Sequence, residues 1–226
     1  YKLSIGTLDR YLNEFGFGQQ TNVDLPTDKA GIVPSPAWKR KHIGTAWYTG
    51  NTILTLIGQG YLLATPLQLA QATMLLANKG TGFVPHIVKQ ITRGDNTQVI
   101  EPIALQPVRL PQKYWRLIDN AMQSVIRAPD GTGEHFGRNP PYTVAAKTGT
   151  AQLYAHNRDE EHTETDIPEK LRNNHLFIAF APVNKPQIAV AVIVEHAAKA
   201  ASVARKILDA EWQYSNHFAA NLKTKS

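Results

Sequence analysis

Residues 145–152, Ala-Ala-Lys147-Thr148-Gly149-Thr150-Ala151-Gln152, limit what this chain can fold into more than any other stretch. Candidate strands at 142–147 and 150–154 run into and out of it. Read as extended backbone, Lys147 to Gln152 alternates its side chains between two faces. Thr148, Thr150 and Gln152 share one face, and Lys147, Gly149 and Ala151 share the other. Two hydroxyls in line can hold a carboxylate through charge-assisted hydrogen bonds. Gly149 removes a side chain where a second backbone passes close by. At a sheet edge such a strand can pair with an extended peptide. Its unpaired N–H groups can also stabilise an oxyanion. Lys147 brings a compact positive charge, able to lower the pKa of a neighbouring hydroxyl or attract an anion in a partly dry cleft. Lys-Thr-Gly alone is common by chance, so its meaning rests on context.

Composition narrows that context. The length of 226 residues is enough to bury a core without disulfides or metals. There are no cysteines, which excludes thiol nucleophiles and thiolate metal sites. The formal charge of +6 is scattered, with no basic stripe of the kind a nucleic-acid footprint needs. The one short cluster, Lys39-Arg40-Lys41-His42, reads as solvated surface. No stretch has the length and apolarity of a membrane span. The first residue is Tyr rather than Met, which reads as a start inside a longer protein.

Hydrophobic spacing predicts an amphipathic helix over 4–17, with Ile5, Leu8, Leu12 and Phe15 on one side. From 19 to 58 the chain is rich in Pro, Gly and Thr and reads as a long irregular stretch, with a short helix at 36–42. Thr65-Pro66 opens the clearest helix, and Asn78-Lys79-Gly80 closes it. Weak alternation over 84–92, the turn Gly94-Asp95-Asn96 and a return over 98–100 predict a hairpin. A helix is expected over 111–127, with Trp115, Ile118, Met122 and Val125 on one face. Strands follow at 175–181 and 187–195, and a closing helix at 202–213. This order predicts an α+β fold, an antiparallel sheet with flanking helices.

A second motif gives Lys147-Thr148-Gly149 its context. Gly58-Gln59-Gly60-Tyr61-Leu-Leu-Ala-Thr65-Pro66-Leu67-Gln68-Leu69-Ala70 resembles a stretch of class B penicillin-binding proteins, at their usual distance ahead of K-T-G-T-A-Q. Leu8-Asp9-Arg10 onward resembles the helix that follows their S-x-N motif. Pro34, Trp38, Lys39, Trp47-Tyr48 and Gly50 resemble the elongation-specific branch.

The resemblance implies a serine β-lactamase/transpeptidase-like fold, with residues 1–226 as the C-terminal part of one transpeptidase domain. It implies a peptidoglycan D,D-transpeptidase. A serine attacks the D-Ala-D-Ala amide of a stem peptide, and a second stem's amine resolves the acyl-enzyme; β-lactams acylate the same serine. Carried over, Lys147 and Thr150 are the catalytic positions. Thr148, Gly149, Thr150 and Gln152 are the substrate-binding ones, with the Thr150 N–H as half of the oxyanion hole. Neither S-x-x-K nor S-x-N occurs within residues 1–226. The nucleophile is therefore expected on an upstream segment of the same protein, and this chain alone is expected to be inactive. No metal and no cofactor are expected. The partners implied are stem peptides, β-lactams, a glycosyltransferase and elongation scaffold proteins, for a periplasmic domain of an inner-membrane-anchored bacterial protein. Two alternatives stay open: a hydrolase of the same superfamily (D,D-carboxypeptidase or β-lactamase), and a non-catalytic sensor or binding domain.

Other positions are weighed against plainer roles. Trp47, Tyr48 and Tyr61 either line a groove or pack. His156 and His162 flank an acidic loop (Asp159, Glu160, Glu161, Glu164) that reads as solvated, since no pair has zincin spacing. His196 follows a strand and reads as ordinary surface.

Overall fold

A computed structural model describes residues 3–152 and 168–223. The chain divides into two compact units, residues 1–109 and 110–226. Among the described residues there are six α-helices, α1 (Ile5–Glu14), α2 (Pro36–Ile43), α3 (Thr49–Leu56), α4 (Pro66–Ala77), α5 (Gln112–Arg127) and α6 (Ala200–Lys223). The strands are β1 (Gln90–Arg93), β2 (Asn96–Val99), β3 (Ala145–Ala151), β4 (Asn174–Ala181) and β5 (Ile188–Val194).

In the first unit, α4 is built as its sequence dictates. Thr65 Oγ1 accepts from Gln68 N (3.1 Å), and Gln68 Oε1 accepts from Thr65 N (2.9 Å). This is a reciprocal cap with Pro66 in the first turn. The Gln68 side chain is fully buried, and its amide also donates to the carbonyls of Gln19 and Ala30, each at 2.8 Å. One capping residue thus pins the loop that enters the unit. The Gly58-Gln59-Gly60 turn has both glycines left-handed (φ 76° and 75°), a conformation that costs other residues strain. Asp24 clamps the approach to the hairpin, accepting from Ile87 N (2.7 Å) and Val88 N (2.9 Å). The Val88 and Ile87 amides hold its carboxyl below the usual carboxylate range.

The stretch 19–58 is not irregular throughout, because it contains α3 as well as α2. Lys39 is not solvated surface. It is buried, and its Nζ donates to Ala46 O and Asn51 Oδ1, both at 2.8 Å. A buried ammonium is tolerated because its donors are used. Arg40, Lys41 and His42 are exposed as expected. The hairpin is present, with its first strand at Gln90–Arg93 rather than over 84–92.

The second unit is an antiparallel sheet in the order β3-β4-β5. The register runs from Ala145↔Phe180 to Ala151↔Asn174, and from His175↔Val194 to Ala181↔Ile188. Alternate residues (Val144, Ala146, Phe177, Ala179, Ala181, Val190 and Val192) meet Ala200, Ala201, Ala204 and Leu208 of α6 in one core cluster. Helix α5 packs on β3. A single strand passes through the Lys-Thr-Gly motif, where two flanking strands were expected. Helix α6 runs well past 202–213, to Lys223. The expected loop from His156 lies outside the described residues up to 167. Beyond it, Glu169–Leu171 forms a 3-10 turn.

A polar clasp locks the core's edge. Tyr142 Oη donates to Asp209 Oδ1 (2.7 Å), and Arg205 Nε reaches both Asp209 oxygens at 2.8 Å. The Arg205 guanidinium also lies over the Phe136 ring, 5.4 Å from its centre. Burial, then the bond to Asp209, push the Tyr142 phenol well above its ordinary range. Asp209→Ala is expected to lower stability by about 1–3 kcal/mol, and Tyr142→Phe by about 1 kcal/mol. Because folding raises the phenol's pKa, its contribution is complete below about pH 10 and fades as pH rises beyond that. Urea denaturation of the intact protein across alkaline pH measures both effects, and Tyr142→Phe should remove the alkaline loss.

Candidate active site

Strand β3 changes character along its length. Ala145 and Ala146 are fully buried, whereas Lys147, Thr150 and Ala151 are exposed. The first two residues anchor the strand, and the remainder emerges from the core. Its inner edge pairs with β4, and among the described residues no strand pairs with its other edge. The Lys-Thr-Gly ribbon is therefore an edge strand.

Each expected site residue sits on this segment. Lys147 is exposed, and its Nζ folds back to donate to the Thr148 carbonyl at 2.7 Å. Thr148 is half-buried, and its Oγ1 donates to Thr132 Oγ1 at 3.0 Å. Gly149 lies opposite Leu176, where an added Cβ would come within 3.3 Å of the Leu176 Cβ. The neighbour that excludes a side chain is thus Leu176's own side chain, not a passing backbone. Thr150 is exposed and lies opposite His175, and Gln152 is exposed just beyond the strand.

A groove of about 240 Å³ runs beside the ribbon. Thr148, Gly149 and Thr150 form one wall, Thr132 and His135 another, and His175 lies on the floor. The wall is pinned from below: Gly133 N donates to Val125 O at 2.9 Å, and Phe136 stacks on Phe177 with centroids 5.6 Å apart. Two hydroxyls, two imidazoles and a strand edge that no other described strand covers suit an anionic, extended ligand. Thr132, His135 and His175 were not singled out by the sequence. The turn at 129–133 was visible, but no local pattern says that it stands against β3.

The remaining candidates have structural partners. His196 closes the turn after β5: its N–H donates to Asn174 Oδ1 (3.2 Å), and its Nδ1 lies 3.1 Å from Arg172 O. Within the first unit, Tyr48 is exposed with its ring 4.8 Å from Lys39 Nζ. Trp47 Nε1 donates to Thr52 Oγ1 at 2.9 Å, and Tyr61 packs on Trp38 at 5.4 Å. Among the described residues no three His, Asp or Glu side chains are grouped to hold a metal ion.

This fold and ribbon are those of a penicillin-binding protein transpeptidase domain. The chain belongs to the penicillin-binding protein transpeptidase domain family, whose model matches residues 1–210. It is 38% identical over 214 residues to the peptidoglycan D,D-transpeptidase MrdA of Escherichia coli K12, covering 92% of this chain and 34% of that protein. The chain thus spans about a third of the length of the curated relatives it matches. Among solved structures it resembles Pseudomonas aeruginosa PBP2 in complex with WCK 5153, with a TM-score of 0.74 and 38% identity over 92% of this chain and 44% of that one. It also resembles Helicobacter pylori PBP2 in its complex with MreC, with a TM-score of 0.77 and 32% identity over 96% of this chain and 37% of that one. The likeness read from the Gly-Gln-Gly and Lys-Thr-Gly stretches is borne out.

The tight Gly149–Leu176 contact gives a prediction. Gly149→Val should lower stability by roughly 1–3 kcal/mol through overpacking, and Gly149→Ala by less, as read from chemical denaturation of the intact protein. Pairing Gly149→Val with Leu176→Ala should recover part of the loss, since the two side chains compete for one space.

Proposed function

We propose that this chain supplies the Lys-Thr-Gly wall of a peptidoglycan D,D-transpeptidase of the elongation type. The single observation that carries this reading is the edge placement of Lys147–Thr150 beside a groove. A stem peptide's D-Ala-D-Ala end lies along the open edge of β3, as an added strand would. The hydroxyls of Thr148 and Thr150 hold its terminal carboxylate. The Thr150 N–H points at the oxygen that becomes negative when a serine attacks, which favours the transition state over the ground state. Lys147 supplies positive charge beside the attacking hydroxyl, and Gln152 bonds the peptide backbone beyond the scissile amide. The serine forms a bond to the acyl carbon as the D-alanine amine leaves with a proton. The amine of a second stem peptide then attacks the ester, expels the serine oxygen and completes the cross-link.

Residues 1–226 contain no S-x-x-K and no S-x-N, so the serine and its helpers come from elsewhere in the intact protein. That protein is read as a periplasmic enzyme anchored in the inner membrane. Among the described residues no helix is long and apolar enough to cross a membrane. It would work with a glycosyltransferase and elongation scaffold proteins. For the scaffold, MreC is the partner named for the H. pylori relative.

A labelled penicillin followed by mass spectrometry tests this reading. The intact protein should gain one adduct on a serine outside these 226 residues, and the 226-residue chain alone should gain none. An adduct on this chain contradicts the assignment. In the intact protein, Thr148→Val or Thr150→Val should each slow acylation by roughly 10- to 100-fold, the worth of a hydrogen bond to a charged group. The penicillin's methyl ester, which lacks that charge, should be slowed far less.

A further inference from the structure

The groove beside β3 holds more than the ribbon's hydroxyls. Among the described residues, the titratable ones that line it are His135 and His175. Two threonine hydroxyls do not by themselves select a charge, because a hydroxyl donates to a carboxylate and equally accepts from an amide. An imidazolium does select, since both of its nitrogens are donors. His175 stands directly across from Thr150 in the β3–β4 register, so the two side chains share a face. Directly opposed residues have Cβ atoms about 4.5–5.5 Å apart, and diagonal ones, here Thr148, about 7–8 Å. An anion bonded to both threonine hydroxyls therefore lies within reach of the His175 ring. His135 stands on the facing wall, on a 3-10 turn (Glu134–Phe136) fixed by the Phe136–Phe177 stack.

We propose that His175 is a specificity-determining residue of the acyl-donor site: its imidazolium reads the terminal carboxylate that Thr148 and Thr150 hold. This rests on the function proposed above. Protonation of His175 then sets how strongly a carboxylate-bearing donor is preferred over a neutral one. The charged and titratable groups named around it are those of the described residues. On β3, Lys147 leaves the strand on the opposite face, but its Nζ folds back to 2.7 Å from Thr148 O and 3.5 Å from Thr148 Oγ1, a charge that stays fixed between pH 5.5 and 8 and so adds no pH dependence of its own. On β5 the facing residue is Val194, with Glu195 next along the chain. The turn brings Glu134 and His135. The chain entering α6 carries His196, held at Arg172 O, and the exposed Lys199. His175 acts on binding and orientation, not on the bond-making step, so its removal should change substrate preference more than the chemistry common to all donors.

The experiment uses the intact protein, a labelled penicillin and the methyl ester of the same penicillin. The quantity read is the ratio of their second-order acylation rates at about pH 5.5 and about pH 8, on either side of the ordinary imidazole range. The ratio cancels pH effects on the serine and its helpers. In the unsubstituted protein the ratio should be higher at the lower pH. His175→Gln should flatten it and lower the acid-side ratio by roughly tenfold, the worth of one charge-assisted hydrogen bond. His175→Lys should restore a high ratio at both pH values, which shows that charge at this position is what matters and guards against a mere folding defect. His135→Gln, on the facing wall, should lower the acid-side ratio less than His175→Gln does. If His175→Gln keeps the unsubstituted pH-dependent ratio, the inference is overturned while the transpeptidase reading stands. If the intact protein takes up neither probe, both fall together.

Discussion

Seven residue pairs between β3 and β4 decide what the second unit can do. The pairing is set at one end by burial: Ala145, Ala146, Phe177 and Phe180 are each fully enclosed. Ala145 with Phe180 fills one face of the sheet, and Ala146 with Phe177 fills the other. Sliding β3 by one residue would turn Ala146 out of the core and Lys147 into it, a penalty that fixes the register. With the register fixed, the exposed half of β3 has no freedom of choice. Thr148 and Thr150 must share the face of Phe177 and His175, and Gly149 must oppose Leu176. The groove follows from the anchor.

The supports around the groove have the same origin. Phe136 stacks under Phe177 and carries the 3-10 turn with it. Arg205 and Asp209 of α6 tie that turn to Tyr142 just ahead of β3. Val183 N donates to Thr143 Oγ1 at 2.9 Å, joining the β4–β5 connection to the strand's approach. A binding wall needs side chains locked by packing and hydrogen bonds behind it. Here the lock consists of a ring stack, an ion pair with a phenol, and the buried half of the strand that also presents the ligand-facing half.

Much of this was legible in the residues, and the failures have physical reasons. Helix α4 was readable because Thr65, Pro66 and Gln68 are local signals acting on adjacent backbone. Strands β4 and β5 were readable because Phe177–Ala181 and Ile188–Val194 are nearly continuous apolar runs. Helix α3 was missed because its periodicity is inverted: Ile53, Leu54 and Leu56 are exposed, while Thr55 is buried and Asn51 bonds Lys39. A search for an apolar stripe assumes that the stripe faces inward. Lys39 was misread for a related reason, since a lysine in a basic cluster gives no local hint that a carbonyl and an amide oxygen await it. The ribbon's own residues were found from a motif. Thr132, His135 and His175 were not, because only register and tertiary packing bring them to it, and neither is written within a short window of sequence.

The central claim is geometric: β3 offers its open edge and its threonine face to an acyl donor. A crystal structure of the intact protein acylated by a β-lactam tests it most directly. The ligand's carboxylate should lie within hydrogen-bonding distance of the Thr148 and Thr150 hydroxyls, with the acyl oxygen on the Thr150 N–H. That geometry is contradicted if another strand of the intact protein occupies that edge, or if the acylated ligand lies away from β3.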